Sequence, residues 1–471
     1  EFSRECITNR DRMFDCPQNL REEEMFEVPE WAANKVVYQI FPSRFAATEP
    51  VDKELWYKAP ITPMDDLHGN LRGIIEHMDD IQNLGIDVLY MTPIFQSNSC
   101  HKYDTTDYYQ IDPSFGTTED LKELVQKAHE RGMKVVLDAV YNHTGREFFA
   151  FADILENGEK SKYRDWYFID GFPLKSEWGE IPNFKCFGYY GGMPKLNLKN
   201  PEVEKYITDV ACYWIKECDI DGWRLDVGDE ISHFFWKNFR KAVKAVKKDM
   251  LIIGEIWHYA GDFLEGDEWD TVMNYPFYLN LIDLLADEKI TVSQFVQNLG
   301  YLKGRLHKNC YPLMWNLIDS HDTARFLHLC NDNKKKQHLA AAFQLLLPGM
   351  PMIYYGDEYA MPGANDPDCR RGMYWDEEYQ DKEMYEWYKR LIQVRKSHAC
   401  IVEGELAGSV TEDEEGTVVL IRKNGEETIA MIFNCSSSAK KFNEYTQKYN
   451  LLTENTFDGN VEGFDAAVIV L

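Results

Sequence analysis

Short apolar runs alternate with stretches of helical periodicity along most of this chain, and this alternation constrains the fold more than any other feature. Between the runs, apolar residues recur at spacings of three and four, as at Leu121, Leu124, Val125 and Ala128. Eight apolar runs, each rich in β-branched or aromatic residues, occupy residues 36–40, 88–91, 135–137, 222–225, 251–253, 271–273, 313–318 and 352–355. Eight repeats of strand and helix with almost continuously apolar strands predict an α/β fold, a parallel (β/α)8 TIM barrel.

Two changes of pattern divide the chain. Residues 144–196 follow the third strand, are rich in Phe, Tyr, Gly and Pro, and lack the barrel period, which predicts an inserted subdomain that shapes a cleft. From residue 400 the apolar spacing becomes two, which predicts a C-terminal antiparallel β-sandwich over 400–471. The barrel is then expected over 31–399, and the charged residues 1–30 are interpreted as a linker or the tail of a missing N-terminal domain.

The net charge of the chain limits the kinds of partner that it is expected to bind. Lys and Arg number 51 against 79 Asp and Glu, so the formal net charge is −28. Such a balance repels phosphate backbones and anionic lipids, and it argues against a nucleic-acid or membrane partner. The 11 cysteines form no CxxC pair, and no transmembrane run or signal peptide is apparent. These features favour reduced thiols, a cytoplasmic location and a neutral ligand.

Acidic residues follow several of the predicted strands. Asp138, Asp226, Glu255 and Asp322 each lie at or just past a strand end, with Arg or His nearby. In a parallel barrel the carboxyl ends of the strands meet at one face, so these side chains are expected to converge there. A cluster of carboxylates suits glycoside hydrolysis, in which one acid attacks the sugar carbon and another protonates the leaving oxygen.

The local sequence favours particular roles. Arg224 and Asp226 are two residues apart and project to the same side of a strand, so the guanidinium is expected to lower the pKa of Asp226 and keep it ionised. Glu255 stands at a strand tip beside Trp257, whose apolar ring favours a protonated general acid. His143 and His321 would donate to sugar hydroxyls. Their spacing fits no zinc motif.

Four sequence blocks carry a family resemblance. Residues 138–143, 222–226, 254–255 and 320–322 resemble, in order and spacing, the signature regions of the α-amylase family of retaining glycoside hydrolases. The resemblance covers about residues 31–471. Residues 193–197 and 254–258 are similar to its neopullulanase, cyclomaltodextrinase and maltogenic amylase branch.

The resemblance implies a complete set of site residues. Asp226 would be the nucleophile, Glu255 the acid/base and Asp322 the stabiliser of the transition state. The remaining positions are implied to bind substrate or support the site: Tyr103, Asp138, His143, Arg224, Glu230, Trp257, His321, Asp366 and Arg370. The implied activity is retaining hydrolysis of α-1,4 or α-1,6 glucosidic bonds in maltodextrins, cyclodextrins, pullulan or starch. The alternatives are a 4-α-glucanotransferase and a sucrose- or trehalose-type glucosyltransferase on the same machinery.

Two positions depart from the family pattern. No cofactor is expected to be required. The alternative of a structural calcium ion is not supported by the loop after the first strand, residues 46–52, which is poor in the oxygen ligands that calcium needs. Asp229 stands where the branch commonly has Asn, which bears on acceptor preference. The partner predicted is an α-glucan, and the oligomeric state is left open.

Overall fold

The computed structural model describes residues 27–175 and 181–471. Eight parallel strands form the central sheet in chain order, and the last strand pairs with the first. A parallel bridge between Met273 and Trp315 joins the sixth strand region to the seventh and closes the barrel. The strands are β1 (Val37–Ile40), β2 (Val88–Met91), β3 (Lys134–Ala139), β4 (Gly222–Leu225), β5 (Leu251–Gly254), β6 (Thr271–Val272), β7 (Trp315–Asn316) and β8 (Met350–Tyr354). The predicted barrel is confirmed.

The longer helices bury their apolar faces against this sheet. The helices are α1 (Leu71–Glu76), α2 (Met78–Leu84), α3 (Thr118–Glu130), α4 (Phe149–Asn157), α5 (Pro201–Cys218), α6 (His233–Val246), α7 (Tyr275–Leu281), α8 (Val292–Arg305), α9 (Lys334–Leu346) and α10 (Lys382–Ser397). A capping box between Thr117 and Asp120 precedes α3, and Asn200 caps α5 by accepting from the Glu202 N–H. No helix in the described part of the chain is both long and apolar enough to cross a bilayer.

The seventh strand is shorter than its apolar run predicts. Only Trp315–Asn316 has strand geometry, whereas Tyr311–Leu313 forms a 3-10 turn. Leu317 and Ile318 are fully buried outside the strand. Their apolar character therefore reflects packing rather than strand pairing, and periodicity alone does not separate the two.

The segment after β3 contains α4 and short turns rather than a regular layer. Isolated bridges join His143 to Lys195 and Tyr167 to Leu196, so the end of the insertion returns to the loop that follows β3. A hairpin of Phe95–Ser97 and Thr105–Ile111, which the sequence analysis did not identify, follows β2. Both features lie at the carboxyl ends of the strands. Residues 176–180, within the aromatic part of the insertion, lie outside the described residues.

The C-terminal region is antiparallel, as its alternation predicts. Neighbouring strands of its main sheet are, in order, Glu405–Glu412, Thr417–Asn424, Glu427–Asn434, Asp465–Val470, Tyr449–Asn450 and Asn455–Thr456. A second sheet pairs Lys440–Lys441 with Asn460–Val461. One face of the main sheet packs on α9, where the Phe343 and Phe433 rings stack at 4.2 Å, and the other face buries Phe442 and Phe457. The strands are β9 (Glu405–Glu412), β10 (Thr417–Asn424), β11 (Glu427–Asn434), β12 (Tyr449–Asn450), β13 (Asn455–Thr456) and β14 (Asp465–Val470).

The chain enters the barrel from its amino-terminal side. Trp31 donates its indole N–H to the Asp249 carbonyl oxygen at 2.8 Å, and Arg240 donates to the Glu27 carbonyl oxygen at 2.7 Å. Residues 27–30 of the expected linker therefore lie against the strand starts. Residues 1–26, the rest of that expected linker, lie outside the described residues.

Candidate active site

A single buried guanidinium organises the carboxyl face of the barrel. Arg224, in β4, has no exposed side-chain surface, and its Nη1 donates to Asp226 Oδ1 at 2.8 Å and to Asp138 Oδ1 at 3.0 Å. Its Nη2 lies 3.0 Å from Glu255 Oε2 and 3.9 Å from Asp322 Oδ2. Carboxylates from four separate segments thus meet around one cation. The predicted convergence of these acids is confirmed.

Asp138 is the innermost acid. The hydroxyls of Tyr90 and Tyr103 donate to its Oδ2 at 2.8 and 2.9 Å. Burial raises the pKa of Asp138 to about 6, against the opposing effects of Arg224 and the two hydroxyls. Tyr90 was not among the predicted site residues. The available indication was its hydroxyl group, which is unusual in the otherwise apolar strand β2.

Only one of the two carboxylate oxygens of Asp226 has a hydrogen-bond partner among the described residues. Oδ1 accepts from Arg224, whereas Oδ2 is buried and has no hydrogen-bond partner among the described residues. Burial, together with repulsion from Glu255 and Asp138, raises the pKa of Asp226 above its ordinary value, although Arg224 opposes this rise. The expectation that Arg224 would lower this pKa is therefore wrong in net direction. The reason is that burial, the largest effect, outweighs the attraction of a guanidinium that three other carboxylates share.

Glu255 is oriented by two further donors. Its Oε2 accepts from the Val227 N–H at 2.9 Å, and its Oε1 accepts from the Trp257 indole N–H at 3.2 Å. The Trp257 ring stacks on the Tyr275 ring at 4.0 Å, which fixes the indole. Trp257 therefore acts on Glu255 as a hydrogen-bond donor as well as an apolar wall, and only the apolar contact was predicted from the sequence.

His321 links the acids to β1. Gln39 Nε2 donates to His321 Nδ1 at 2.7 Å, so the imidazole hydrogen is on Nε2. His321 Nε2 lies 2.6 Å from Tyr103 Oη and 3.2 Å from Asp322 Oδ2. Burial and the charges of Arg370 and Arg224 hold the pKa of His321 well below its ordinary value, and the ring is neutral. Gln39, another residue missed from the sequence, sets this tautomer from a strand that is otherwise apolar.

Arg370 connects His321 and Asp322 to the loop that follows β8. Its Nε donates to the His321 carbonyl oxygen at 2.8 Å, its Nη2 lies 3.4 Å from Asp322 Oδ1, and its Nη1 lies 2.9 Å from Asp366 Oδ1. The structure thus brings Asp366 and Arg370 to the rim of the same site, where Asp366 is about half exposed.

Two other predicted residues contact the segments that follow β2 and β3. His143 Nε2 lies 3.0 Å from the Tyr103 carbonyl oxygen, and burial lowers the pKa of His143 to about 4, so the neutral ring donates to that oxygen. Glu230 does not contact Arg224. Its Oε2 instead lies 2.9 Å from Lys195 Nζ and 3.4 Å from Asn142 Nδ2. Lys195 was not selected as a site residue, although the block at 193–197 was the available signal.

Family comparison agrees with this arrangement. A model of the α-amylase catalytic domain matches residues 39–404, and the chain belongs to the α-amylase family of glycoside hydrolases. The resemblance drawn from the four sequence blocks is therefore confirmed. The enzyme class predicted from the acids is confirmed as well.

Individual relatives define the branch. The chain is 45% identical to a cyclomaltodextrinase of Geobacillus thermopakistaniensis strain MAS1 over 93% of this chain and 75% of that protein. It is 42% identical to neopullulanase 2 of Thermoactinomyces vulgaris over 88% of this chain and 72% of that protein. A solved cyclomaltodextrinase superposes with a TM-score of 0.90 at 38% identity, over 94% of this chain and 79% of that one. A cyclic α-maltosyl-(1→6)-maltose hydrolase from Arthrobacter globiformis superposes with a TM-score of 0.86 at 35% identity, over 94% of this chain and 100% of that one.

Proposed function

We propose that this enzyme hydrolyses α-glucosidic bonds in maltodextrins, cyclodextrins, pullulan or starch with retention of anomeric configuration. The observation that carries the proposal is the placement of Asp226 and Glu255 on the two terminal nitrogens of Arg224. Retaining enzymes keep their two carboxyl groups close together, because one of them bonds directly to the sugar carbon. The names of the relatives supply the substrate class.

The first chemical step uses Asp226 and Glu255 together. The unpaired Asp226 Oδ2 attacks the anomeric carbon, the bond from that carbon to the glycosidic oxygen breaks, and Glu255 donates its proton to the leaving oxygen. Water then enters, Glu255 removes its proton, and the hydroxyl displaces the Asp226 carboxylate. Two displacements at one carbon restore its original configuration.

The surrounding groups stabilise the charge that develops in the transition state. Positive charge grows on the sugar ring as the bond breaks, and Asp322 provides a carboxylate fixed at the site by Arg224 and Arg370. Nε2 of the neutral His321 donates to Tyr103 Oη, which positions the Tyr103 ring at the site. Tyr103, whose hydroxyl is anchored on Asp138, provides a ring for the glucose unit undergoing cleavage.

Asp226→Asn tests the nucleophile. Replacing the attacking oxygen with an amide should lower kcat on β-cyclodextrin and maltoheptaose by a factor on the order of 10³ or more while the melting temperature stays close to that of the wild type. Asp219→Asn, the same chemical change at an exposed position at the opposite end of the barrel, is the matched control. For the wild-type enzyme, NMR of the first products should show the α-anomer. A β-anomer would exclude the double displacement.

Glu255→Gln tests the acid. The variant should lose far more activity on maltoheptaose than on an aryl glycoside whose leaving group departs without a proton. Equal losses on both substrates would remove Glu255 from this role. Product analysis with maltotriose separates hydrolysis, which gives glucose and maltose, from glucanotransfer, which builds longer chains.

We further propose that the reaction requires no metal and takes place inside the cell. Asp52, in the loop after β1, caps a short helix, because its carboxylate accepts from the Glu54 and Leu55 N–H groups. This carboxylate is therefore already used within the protein and is a poor calcium ligand. A Bacillus subtilis relative, 41% identical, is named an intracellular maltogenic amylase. Activity unchanged by EDTA is the expected result, and a loss restored by added calcium would contradict it.

A further inference from the structure

A groove of about 410 Å³ opens beside Trp257. Trp257 and Tyr259 follow β5, Leu279 lies in α7, and Tyr301 and Arg305 lie in the last part of α8. We call the space between these five residues the Tyr301 groove. Its volume falls within the range of small-molecule sites, about 300–1,000 Å³.

The groove exposes large apolar side chains to solvent. The exposed fraction is 41% for Trp257, 45% for Leu279 and 67% for Tyr301. Three such residues along one depression form a continuous apolar surface, and surfaces of this kind mark binding sites.

The aromatic part of the groove is held in place before any ligand arrives. The Arg305 guanidinium lies 3.8 Å from the centre of the Tyr259 ring and 5.0 Å from that of Tyr301. Arg305 Nη1 also donates to Tyr301 Oη at 3.1 Å, and the Tyr259 hydroxyl donates to the Arg305 carbonyl oxygen at 2.8 Å. Rings fixed in this way lose little conformational entropy when a ligand stacks on them.

The polar groups of the groove suit a neutral, hydroxyl-rich ligand. Arg305 and Asp283 contribute one charge of each sign. Asn298 adds an amide that is held by its 2.8 Å hydrogen bond to the buried Asn280. Aromatic faces and an amide together match a sugar, which has C–H faces and hydroxyl edges. An anion would be disfavoured by the net charge of −28.

The groove is continuous with the candidate active site. The Trp257 ring lines the groove, while its N–H donates to Glu255 Oε1 at 3.2 Å. Under the proposed function, on which this step rests, Glu255 protonates the leaving oxygen, so Trp257 stands on the leaving-group side. We propose that the Tyr301 groove binds the glucose units of a long α-glucan that lie beyond those next to the cleaved bond on its leaving-group side.

Chain-length kinetics of Tyr301→Ala test this proposal. For maltoheptaose, kcat/KM should fall by about tenfold, mainly through a higher KM, because one aromatic stacking contact is lost. For maltotriose, which is too short to extend along the groove, kcat/KM should not change. Tyr301→Phe keeps the ring and should retain most of the maltoheptaose activity. Tyr449→Ala removes an aromatic ring that is 47% exposed on the C-terminal sheet and is the matched control.

A binding measurement separates the groove from the chemistry. In the Asp226→Asn background, calorimetry with maltoheptaose should give a Kd raised by about tenfold when Tyr301→Ala is added. Equal losses on the short and long substrates, or no loss, would overturn the groove proposal. If the wild-type enzyme cleaves no α-glucan, the proposed function fails instead. If Tyr301→Ala abolishes self-association without changing the chain-length ratio, a second copy of the chain occupies the groove and the proposal is wrong.

Discussion

At the scale of single residues, the site depends on how one cation is shared. Arg224 contacts Asp138, Asp226 and Glu255 within 3.0 Å and lies 3.9 Å from Asp322, so the group holds more negative than positive charge when all four acids are ionised. Burial then favours protonation, which is why the pKa of Asp138 rises to about 6 and that of Asp226 also rises. Asp138 and Asp226 therefore respond to the charges of their neighbours.

Asp138→Asn tests this coupling. A raised pKa means that Asp226 takes up a proton, and activity falls, at a higher pH than an ordinary carboxyl would require. Asp138 is one of the charges that raise the pKa of Asp226. Its removal should therefore move the acidic limb of the kcat/KM profile to lower pH by about one unit, even if the maximal rate also drops. A limb that stays in place or moves to higher pH would contradict the coupling.

At the scale of elements, a buried acid outside the active site joins strands at the opposite end of the barrel. Asp221, directly before β4, is fully buried, and its Oδ1 accepts from Lys134 Nζ and Lys247 Nζ, each at 2.9 Å. Its Oδ2 accepts from the Val135 N–H at 3.0 Å and lies 2.6 Å from His129 Nε2. Burial alone would raise the pKa of Asp221, but His129 and the two lysines outweigh it and hold this pKa well below its ordinary value.

Asp221→Asn should lower the free energy of unfolding by about 3 kcal/mol near neutral pH, because Lys134 and Lys247 lose a buried partner. A depressed carboxyl pKa contributes stability above the unfolded-state value of about 4, and this contribution is lost as the pH falls below it. The deficit measured by urea unfolding should therefore shrink with acidification. Asp219→Asn removes an exposed partner of Lys247 and should cost less than about 0.5 kcal/mol. A deficit that is independent of pH would contradict the ion-pair account.

At the scale of the whole molecule, the barrel and the C-terminal sheet share a core. Phe343 of α9 and Phe433 of β11 are both buried, and their rings stack at 4.2 Å with an interplanar angle of 11°. Polar contacts support this junction. His338 Nε2 lies 3.0 Å from Asp465 Oδ1, and Asp413 accepts from the Ser293 N–H at 2.9 Å. The sheet thus covers an apolar helix face that would otherwise meet water.

Phe433→Ala should destabilise the protein by about 3 to 5 kcal/mol, because the cavity it leaves lies between two rigid elements. The thermal transition should stay single, since the two parts unfold together when they share a core. Val410→Ala, at a position that is 51% exposed on β9, is the control and should leave Tm almost unchanged. Two separate transitions in calorimetry would contradict the shared core.

The barrel and the approximate position of its site could be predicted because both depend on local pattern. Alternating strand and helix periods identify the strands in order, and a parallel barrel brings the residues that follow those strands to one face. Asp226, Glu255 and Asp322 could be found in this way. The short β7 could not, because Leu317 and Ile318 are as apolar as strand residues while being buried outside the ladder.

By itself, therefore, the sequence determined the (β/α)8 order, the antiparallel C-terminal region and the acids that meet at the strand ends. Only the tertiary structure decided that four carboxylates share Arg224, that Gln39 sets the tautomer of His321, and that Tyr259 and Tyr301 enclose Arg305. The physical reason is that periodicity records which face of an element is buried. Contacts between side chains of different elements, and the pKa values that follow from them, depend on distances through space.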